Sequence, residues 1–490
     1  MDNEIEAVII GANAIFDTVL HHNSSQIEDF ILVTFNDPTV QARTVTKDRD
    51  EFKAELSKIN VNRGGDCPEY SMSGIKLALE LSLPQSYIYV FTDATAADYK
   101  LHEEVQRLAT LKQSQVVFVL TGDCGDPESS PKRKVYYDLA KATNGEVFNI
   151  EKTEIGLILD YVTNSIKGRT PVLTHVELPP GVNIITFTAD PETKDPTISL
   201  ATFDRDTPTV DITAPDGSKP PRRLIVQTNK TLIYEVNATV PGEYDVKITS
   251  NSRMRVVVKA RSDFTFQHGF SILKPLTIDH TSTRPPPEVK SYLSIKLLGG
   301  EVELKVAKLF DMTAKQIMEL TLELSDEKTK FYVTEPFNPP NTMFQLAVIG
   351  YHPKSATNIT RFAATAIDPI MPVTAKIDPK APTVTIDREP KIQAEYDKPL
   401  QLFCSVIGYP KANIVWKNKD TGAILEGEMS LVELPYKYLS VHTIDKVNKN
   451  ATYECEGSNT SGSDSKTLVV EVHEPERHFI VMNTSKETVL

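Results

Sequence analysis

Proline is spread unevenly along this 490-residue chain: only five of its 32 prolines (Pro38, Pro68, Pro84, Pro127 and Pro131) precede residue 168. Helix interiors reject proline, which lacks an N–H and crowds the preceding turn, whereas turn-rich β-sandwiches accept it at edges and loops. The first third can therefore hold helices that the remainder cannot. Its apolar periodicity agrees: residues 4–20 have helical spacing, 29–36 read as a buried strand, and 48–59 and 69–83 are helical again. Two dense apolar strands follow, Tyr87–Phe91 and Gln115–Leu120, with a charged helix between them. Next come a helix near 131–143, a short strand over Glu146–Ile150 and a helix over 152–167. Short apolar strands separated by helices predict a doubly wound α/β domain, its parallel sheet covered on both faces. From Pro171 onward the pattern is short alternating runs punctuated by Pro, Gly, Asn and Asp, the mark of all-β structure. A chain this long needs several cores. The expected multidomain organisation is 1–167 α/β, then β-sandwiches over 168–275, 276–378 and 379–474, and a tail over 475–490.

The last sandwich carries the most specific motif. Cys404 is followed by the only tryptophan, Trp416, and then by Tyr453-Glu-Cys455. This is the Cys…Trp…Tyr-x-Cys arrangement of an immunoglobulin sandwich, in which the indole packs on an inter-sheet disulfide. Gly457-Ser-Asn459-Thr-Ser-Gly462 after the second cysteine makes it similar to the I-set type. Where that type has Asp-x-Gly before the tyrosine, this chain has Lys449-Asn-Ala451, so the buried ion pair of that aspartate is not expected.

In the α/β domain the informative residues lie where strands end, the edge at which open α/β sheets gather ligands. Those ends carry Gly64-Gly-Asp66-Cys67-Pro68-Glu69, Thr92-Asp93 and Thr121-Gly-Asp123-Cys124. Converging carboxylates suit Mg²⁺ or Ca²⁺, which take oxygen ligands. They equally suit a helix N-terminus, since Asp66 and Glu69 precede the apolar run from Met72. Cys67 and Cys124 lie in loops leaving the same sheet edge, so they are either a second disulfide or two free thiols; an oxidising compartment favours the bridge.

These segments, with Ile75-Lys-Leu-Ala-Leu-Glu-Leu-Ser82, Tyr87-Ile-Tyr-Val-Phe-Thr-Asp93-Ala94 and Gln115-Val-Val-Phe-Val-Leu-Thr-Gly-Asp-Cys124, resemble the von Willebrand A domain of hemicentins. Asp66-Cys-Pro-Glu69 is also similar to the metal-loop segment in the A-like domains of integrin β chains. The resemblance implies a divalent-cation role for Glu69, with Asp93 in support. Pro241-Gly-Glu-Tyr-Asp-Val-Lys-Ile-Thr249 and Ser262-Asp-Phe-Thr-Phe-Gln-His-Gly-Phe270 resemble the galactose-binding-like sandwich of that family, and Phe344–Tyr351 resembles the sandwich after it. Family A domains open with a strand ending in Asp-x-Ser/Thr-x-Ser, and Met1-Asp-Asn-Glu-Ile5 aligns just beyond it. The resemblance thus implies that this first strand, its metal ligands and a signal peptide lie upstream, leaving a residual site at Glu69, Asp93 and Asp66 that binds Mg²⁺ or Ca²⁺ weakly.

A formal charge of −13 argues against a nucleic-acid surface, and no run of 18 apolar residues suggests a membrane span. Asn-x-Ser/Thr sequons at Asn23, Asn229, Asn237, Asn358, Asn450, Asn459 and Asn483 are candidate glycosylation sites. His473-Glu-Pro-Glu-Arg-His478 lacks the spacing and helix of a zinc protease, and the sequence holds no phosphate loop or nucleophile elbow. The expectation is a non-enzymatic, secreted extracellular-matrix or cell-adhesion protein whose partners are matrix or cell-surface proteins. The rival readings are a secreted A-domain channel-accessory or metalloprotease-type protein and a cytosolic A-domain scaffold.

Overall fold

A computed structural model describes residues 29–36, 39–59, 67–158, 161, 172–262, 264–285, 289–353, 356–369, 379–386, 391–433 and 437–473. The chain divides into two compact units, 1–373 and 374–490.

In the first unit, β1 (Phe30–Phe35) and β2 (Val40–Thr46) form an antiparallel pair. Helix α1 (Arg49–Ser57) follows, its first amides accepted by Asp48, and then α2 (Ser71–Leu81). Strands β3 (Tyr87–Thr92), β4 (Gln115–Leu120) and β5 (Val147–Asn149) make a parallel three-stranded sheet. Helices α3 (His102–Leu111) and α4 (Pro131–Ala142) connect them. Two expectations change here. The apolar pattern predicts no element over 40–46, where the structure has β2, and β1 and β2 pair antiparallel, apart from the parallel sheet among the described residues. VQARTVT has the alternation of a strand, but Gln and Arg dilute the apolar signal that marks its neighbours. Gly74 lets α2 lie on β1, because a Cβ there would come within 2.7 Å of the Phe35 ring. Of the expected helix over 152–167, residues 152–158 and 161 are described, a 3₁₀ turn over Lys152–Glu154 leading into a helix from 155; the expected helix over 4–20 and the tail lie outside the described residues.

Side chains alternate across a strand, and the two faces of this sheet meet different partners. Val116, Phe118 and Leu120 face a core made with Met72, Ile75 and Leu79 of α2, Val105 and Ala109 of α3, and Val135, Tyr136 and Leu139 of α4. Val117, Val119, Phe148 and Ile150 point the other way. They pack with Ile155, Ile158 and Tyr161, and with Val226 and Ile233 from the next domain. One face of the α/β sheet is thus covered partly by a β-sandwich rather than by helices alone.

That sandwich has a five-stranded sheet in the order Arg222–Gln227, Thr231–Val236, Thr193–Thr202, Met254–Ser262, Val172–Leu178. It faces a three-stranded sheet in the order Gly181–Ala189, Gly242–Ser250, Thr209–Thr213. The inner rows, among them Phe187, Ile198, Leu200, Tyr244, Val246, Ile248, Val256 and Val258, form its core. Phe203, just past Thr202, enters the core of the α/β domain and stacks on Tyr137 with ring centroids 5.5 Å apart. Lys259 reaches Glu146 at 2.8 Å with both side chains buried, and the Tyr161 hydroxyl donates to the same carboxylate at 3.2 Å.

The third domain pairs a sheet ordered Thr265–Ser271, Tyr292–Leu298, Phe331–Val333, Glu323–Asp326 with one ordered Gln316–Thr321, Glu303–Asp311, Phe344–His352, Thr357–Phe362. The division expected at 275/276 therefore moves. Thr265–Ser271 pairs along its whole length with Tyr292–Leu298, and Phe270 sits in the third core with Leu293, Phe344 and Leu346. Turn residues at 284–287 suggest the break, but strand pairing decides it, and pairing is not written in local sequence. Arg361 donates to Asp190 of the second domain at 2.7 and 3.1 Å and to Ser262 at 3.1 Å, with the ion pair almost wholly buried. Asn144 of the α/β domain donates to the Ala363 carbonyl at 2.9 Å, and the Ala366 amide donates to Ala142 at 2.8 Å. Each of the three domains therefore touches the other two.

Burial keeps two histidines of this unit neutral. His268 lies in the third domain with its ring on the Thr283 carbonyl, and burial holds it at about 4. His175 lies between the first two domains, and burial, helped by Arg255, Lys259 and Lys141, holds it at about 3. Both values lie below the ordinary value near 6.5, so the stability they contribute is complete above that pH and is lost as pH falls toward the folded values. Between pH 6.5 and 5 each is expected to remove on the order of 2 kcal/mol. Denaturant midpoints of residues 1–373 at pH 7 and pH 5 check this; equal midpoints would contradict it.

The second unit is a sandwich of Lys380–Ile386, Leu400–Tyr409, Lys437–Ile444, Glu428–Glu433 against Lys391–Glu395, Gly462–His473, Ala451–Asn459, Asn413–Asn418, Ile424–Leu425. Cys404 and Cys455 join the two sheets, with Cα atoms 6.4 Å apart. Trp416 is buried in the same cluster, and its indole N–H donates to Ser440 at 3.1 Å. Among the described residues no helix is long and apolar enough to cross a membrane.

Candidate functional site

The carboxyl ends of β3, β4 and β5 gather the loops that the sequence singles out. Cys67 and Cys124 are bridged there, with Cα atoms 5.7 Å apart, so all four cysteines of the chain are paired. The bridge sits beside Glu69, whose backbone N–H donates to Thr95 at 2.9 Å and whose carbonyl accepts from Ala97 at 2.7 Å. These bonds stitch the loop before α2 to the loop after β3. The Thr95 amide donates to the Cys124 sulfur at 3.3 Å, and its hydroxyl donates to Asp126 at 2.6 Å.

The carboxylates at this edge are committed to neighbours. Asp93 accepts from Lys152 at 3.2 Å and Asp123 from Arg133 at 3.1 Å. Glu151 accepts from Arg205 of the second domain at 3.0 Å, and Glu128 pairs with Arg253. Asp66 lies outside the described residues. Among the described residues no three His, Cys, Asp or Glu side chains come together to hold a metal ion. Glu69 and Asp93 are both present at the edge where the resemblance puts them, and Asp93 is already paired with Lys152.

Capping of α2 also differs from expectation. Its N-cap is Tyr70, which makes no side-chain cap. Asp98, far along the chain, accepts from Met72 N–H at 3.1 Å and from the Ser73 N–H and hydroxyl at 2.7 and 2.5 Å. A carboxylate here complements the positive end of the helix, but a cap supplied from after the next strand leaves no local signature. Next to it, Tyr136 shares a 2.7 Å bond with Ser71 and donates to the Ala94 carbonyl at 3.1 Å; burial raises its phenol well above the ordinary value. Asp98, Thr95, Asp126 and Lys152 are the residues of this edge that sequence reasoning missed.

Residues 1–152 match the von Willebrand factor A domain family. Human hemicentin-1 is 30% identical over 485 residues, which is 97% of this chain and 8% of that protein. Mouse hemicentin-1 is 32% identical over 416 residues, 83% of this chain and 7% of that protein. This chain is thus similar to hemicentins over nearly its whole length. It spans less than a tenth of the curated hemicentins it matches. Mouse von Willebrand factor A domain-containing protein 7 is similar over a shorter stretch, at 29% identity across 61% of this chain and 36% of that protein. Among solved structures, a titin M10–obscurin-like 1 Ig mutant complex matches at 20% identity, covering 20% of this chain and 99% of that chain, with a TM-score of 0.16.

Among the sequons, Asn229, Asn237, Asn358 and Asn450 are exposed, and Asn459 is partly buried. Asn23 and Asn483 lie outside the described residues.

Proposed function

We propose that this chain acts without catalysis, outside the cell, as a matrix or adhesion protein that binds other proteins through its A domain and its sandwiches. The observation that carries this reading is the pairing of all four cysteines: one bridge in the immunoglobulin-type unit and one at the ligand-gathering edge of the A domain. Structural disulfides belong to oxidising compartments and are rare in the cytosol, which weighs against a cytosolic scaffold. Similarity to hemicentins over nearly the whole chain supports the same reading. The three interlocked domains would present the A-domain edge on a rigid base, which suits protein recognition.

Divalent cations have a minor part in this proposal. Glu69 and Asp93 supply two carboxylates, one already paired with Lys152, and such a set binds Mg²⁺ or Ca²⁺ weakly. Calorimetry with the full chain is expected to give an affinity weaker than micromolar for either ion; a tighter site would refute the assignment. The compartment is tested on protein isolated from its native source and alkylated before reduction. Cys67 and Cys124 should be protected, and free alkylation of both would overturn the extracellular reading.

A further inference from the structure

Two sequons of the immunoglobulin-type unit use opposite ends of their amides. Asn450, exposed just before the strand Ala451–Asn459, accepts from the Val472 N–H through Oδ1 at 2.7 Å. Asn459, at the far end of that strand, works the other way. Its Nδ2 donates to the Lys380 carbonyl and to the Pro410 carbonyl, both at 2.9 Å. Its Oδ1 accepts from the Ser461 N–H at 2.8 Å. Three segments are held by this one side chain: the first strand of the unit, the loop after Leu400–Tyr409, and the turn after the Cys455 strand. Gly408 lies beside this nitrogen, close enough that an added Cβ there would be 3.4 Å from it.

N-linked glycosylation distinguishes the two ends of an amide. The oligosaccharide arrives on a lipid-linked diphosphate donor. The bond from its first sugar carbon to the diphosphate oxygen breaks, a bond from that carbon to Nδ2 forms, and one Nδ2 proton leaves. The nitrogen keeps one hydrogen and the oxygen is untouched. At Asn450 the bond to Val472 survives. At Asn459 one of the two donated bonds is lost, and the carbonyl of Lys380 or Pro410 loses that partner.

We propose that Asn450 carries the glycan of this unit and that Asn459, although a sequon, stays unmodified as a clamp. The proposal rests on the extracellular reading above, so its test supplies the secretory route independently. The full chain is produced in cultured animal cells behind an added secretion leader. Glycans are removed with peptide N-glycosidase in ¹⁸O water and the peptides are mapped by mass spectrometry. The label is expected at Asn450 and absent from Asn459; label at Asn459, or its absence from Asn450, overturns the assignment. A second measurement isolates the clamp in unglycosylated, oxidised full chain. Asn459→Asp replaces the donor with a charged oxygen facing the Lys380 and Pro410 carbonyls and is expected to lower the melting midpoint of this unit by roughly 5–10 °C. Asn450→Asp keeps its acceptor oxygen and is expected to leave the midpoint in place. Equal midpoints for the two variants would refute the clamp. Secretion of the chain without the added leader bears on the compartment alone.

Discussion

Replacing Asp190 or Arg361 singly with alanine is expected to lower the stability of residues 1–373 by about 3–5 kcal/mol, the usual cost of leaving one member of a buried ion pair without its partner. The pair is bidentate and has almost no exposure, so water cannot stand in for the missing group. Arg361 also holds Ser262, which extends the damage to the end of the second domain. The double replacement Asp190→Leu with Arg361→Met should recover much of the loss, because apolar side chains of similar size avoid the desolvation of two charges. Denaturant unfolding of the four proteins forms a double-mutant cycle, and additive single effects would show that the two residues are not coupled.

A larger effect is expected from cutting after residue 167. The A-domain fragment should fail to unfold cooperatively, whereas residues 1–373 should do so. The cut removes Val226 and Ile233 from one face of the β3–β4–β5 sheet and Phe203 from the core on the other. Each such side chain contributes about 1.5–3 kcal/mol when buried, and together they approach the whole margin of a typical domain. The cut also leaves Glu146 without Lys259, adding an unpaired buried carboxylate. Calorimetry and dispersion of amide resonances would decide it; a sharp transition in the 1–167 fragment would mean that the shared core is dispensable.

What could be read from the sequence was what local chemistry encodes. Cys404, Trp416, Tyr453 and Cys455 fall at spacings that one sandwich satisfies, and the structure places them in a single buried cluster. Cys67 and Cys124 were legible as a pair because strand order brings their loops to one edge. The dense apolar runs at Tyr87 and Gln115 became β3 and β4 with almost no change of bounds. Less visible was anything decided by a distant partner. Asp98 caps a helix that begins 27 positions earlier, and nothing near either residue announces it. Thr265–Ser271 reads equally well as the last strand of one sandwich or the first of the next, and only its pairing with Tyr292–Leu298 settles the matter. Phe203 and Lys259 read as ordinary sandwich residues until the A-domain sheet lies against them.

The Cys404–Cys455 bridge also sets how this unit answers to tension. Its cysteines are 51 positions apart in sequence. A residue pulled straight spans about 3.3–3.6 Å, so roughly 170 Å of slack is kept out of reach while the bridge is intact. A pull on the two ends of the unit can lengthen only the segments outside the loop, and the strands carrying Trp416 and Ser440 stay behind the bridge, unloaded. A unit built this way is short and stiff under oxidising conditions, and it becomes long and compliant only when a reductant opens that single bond.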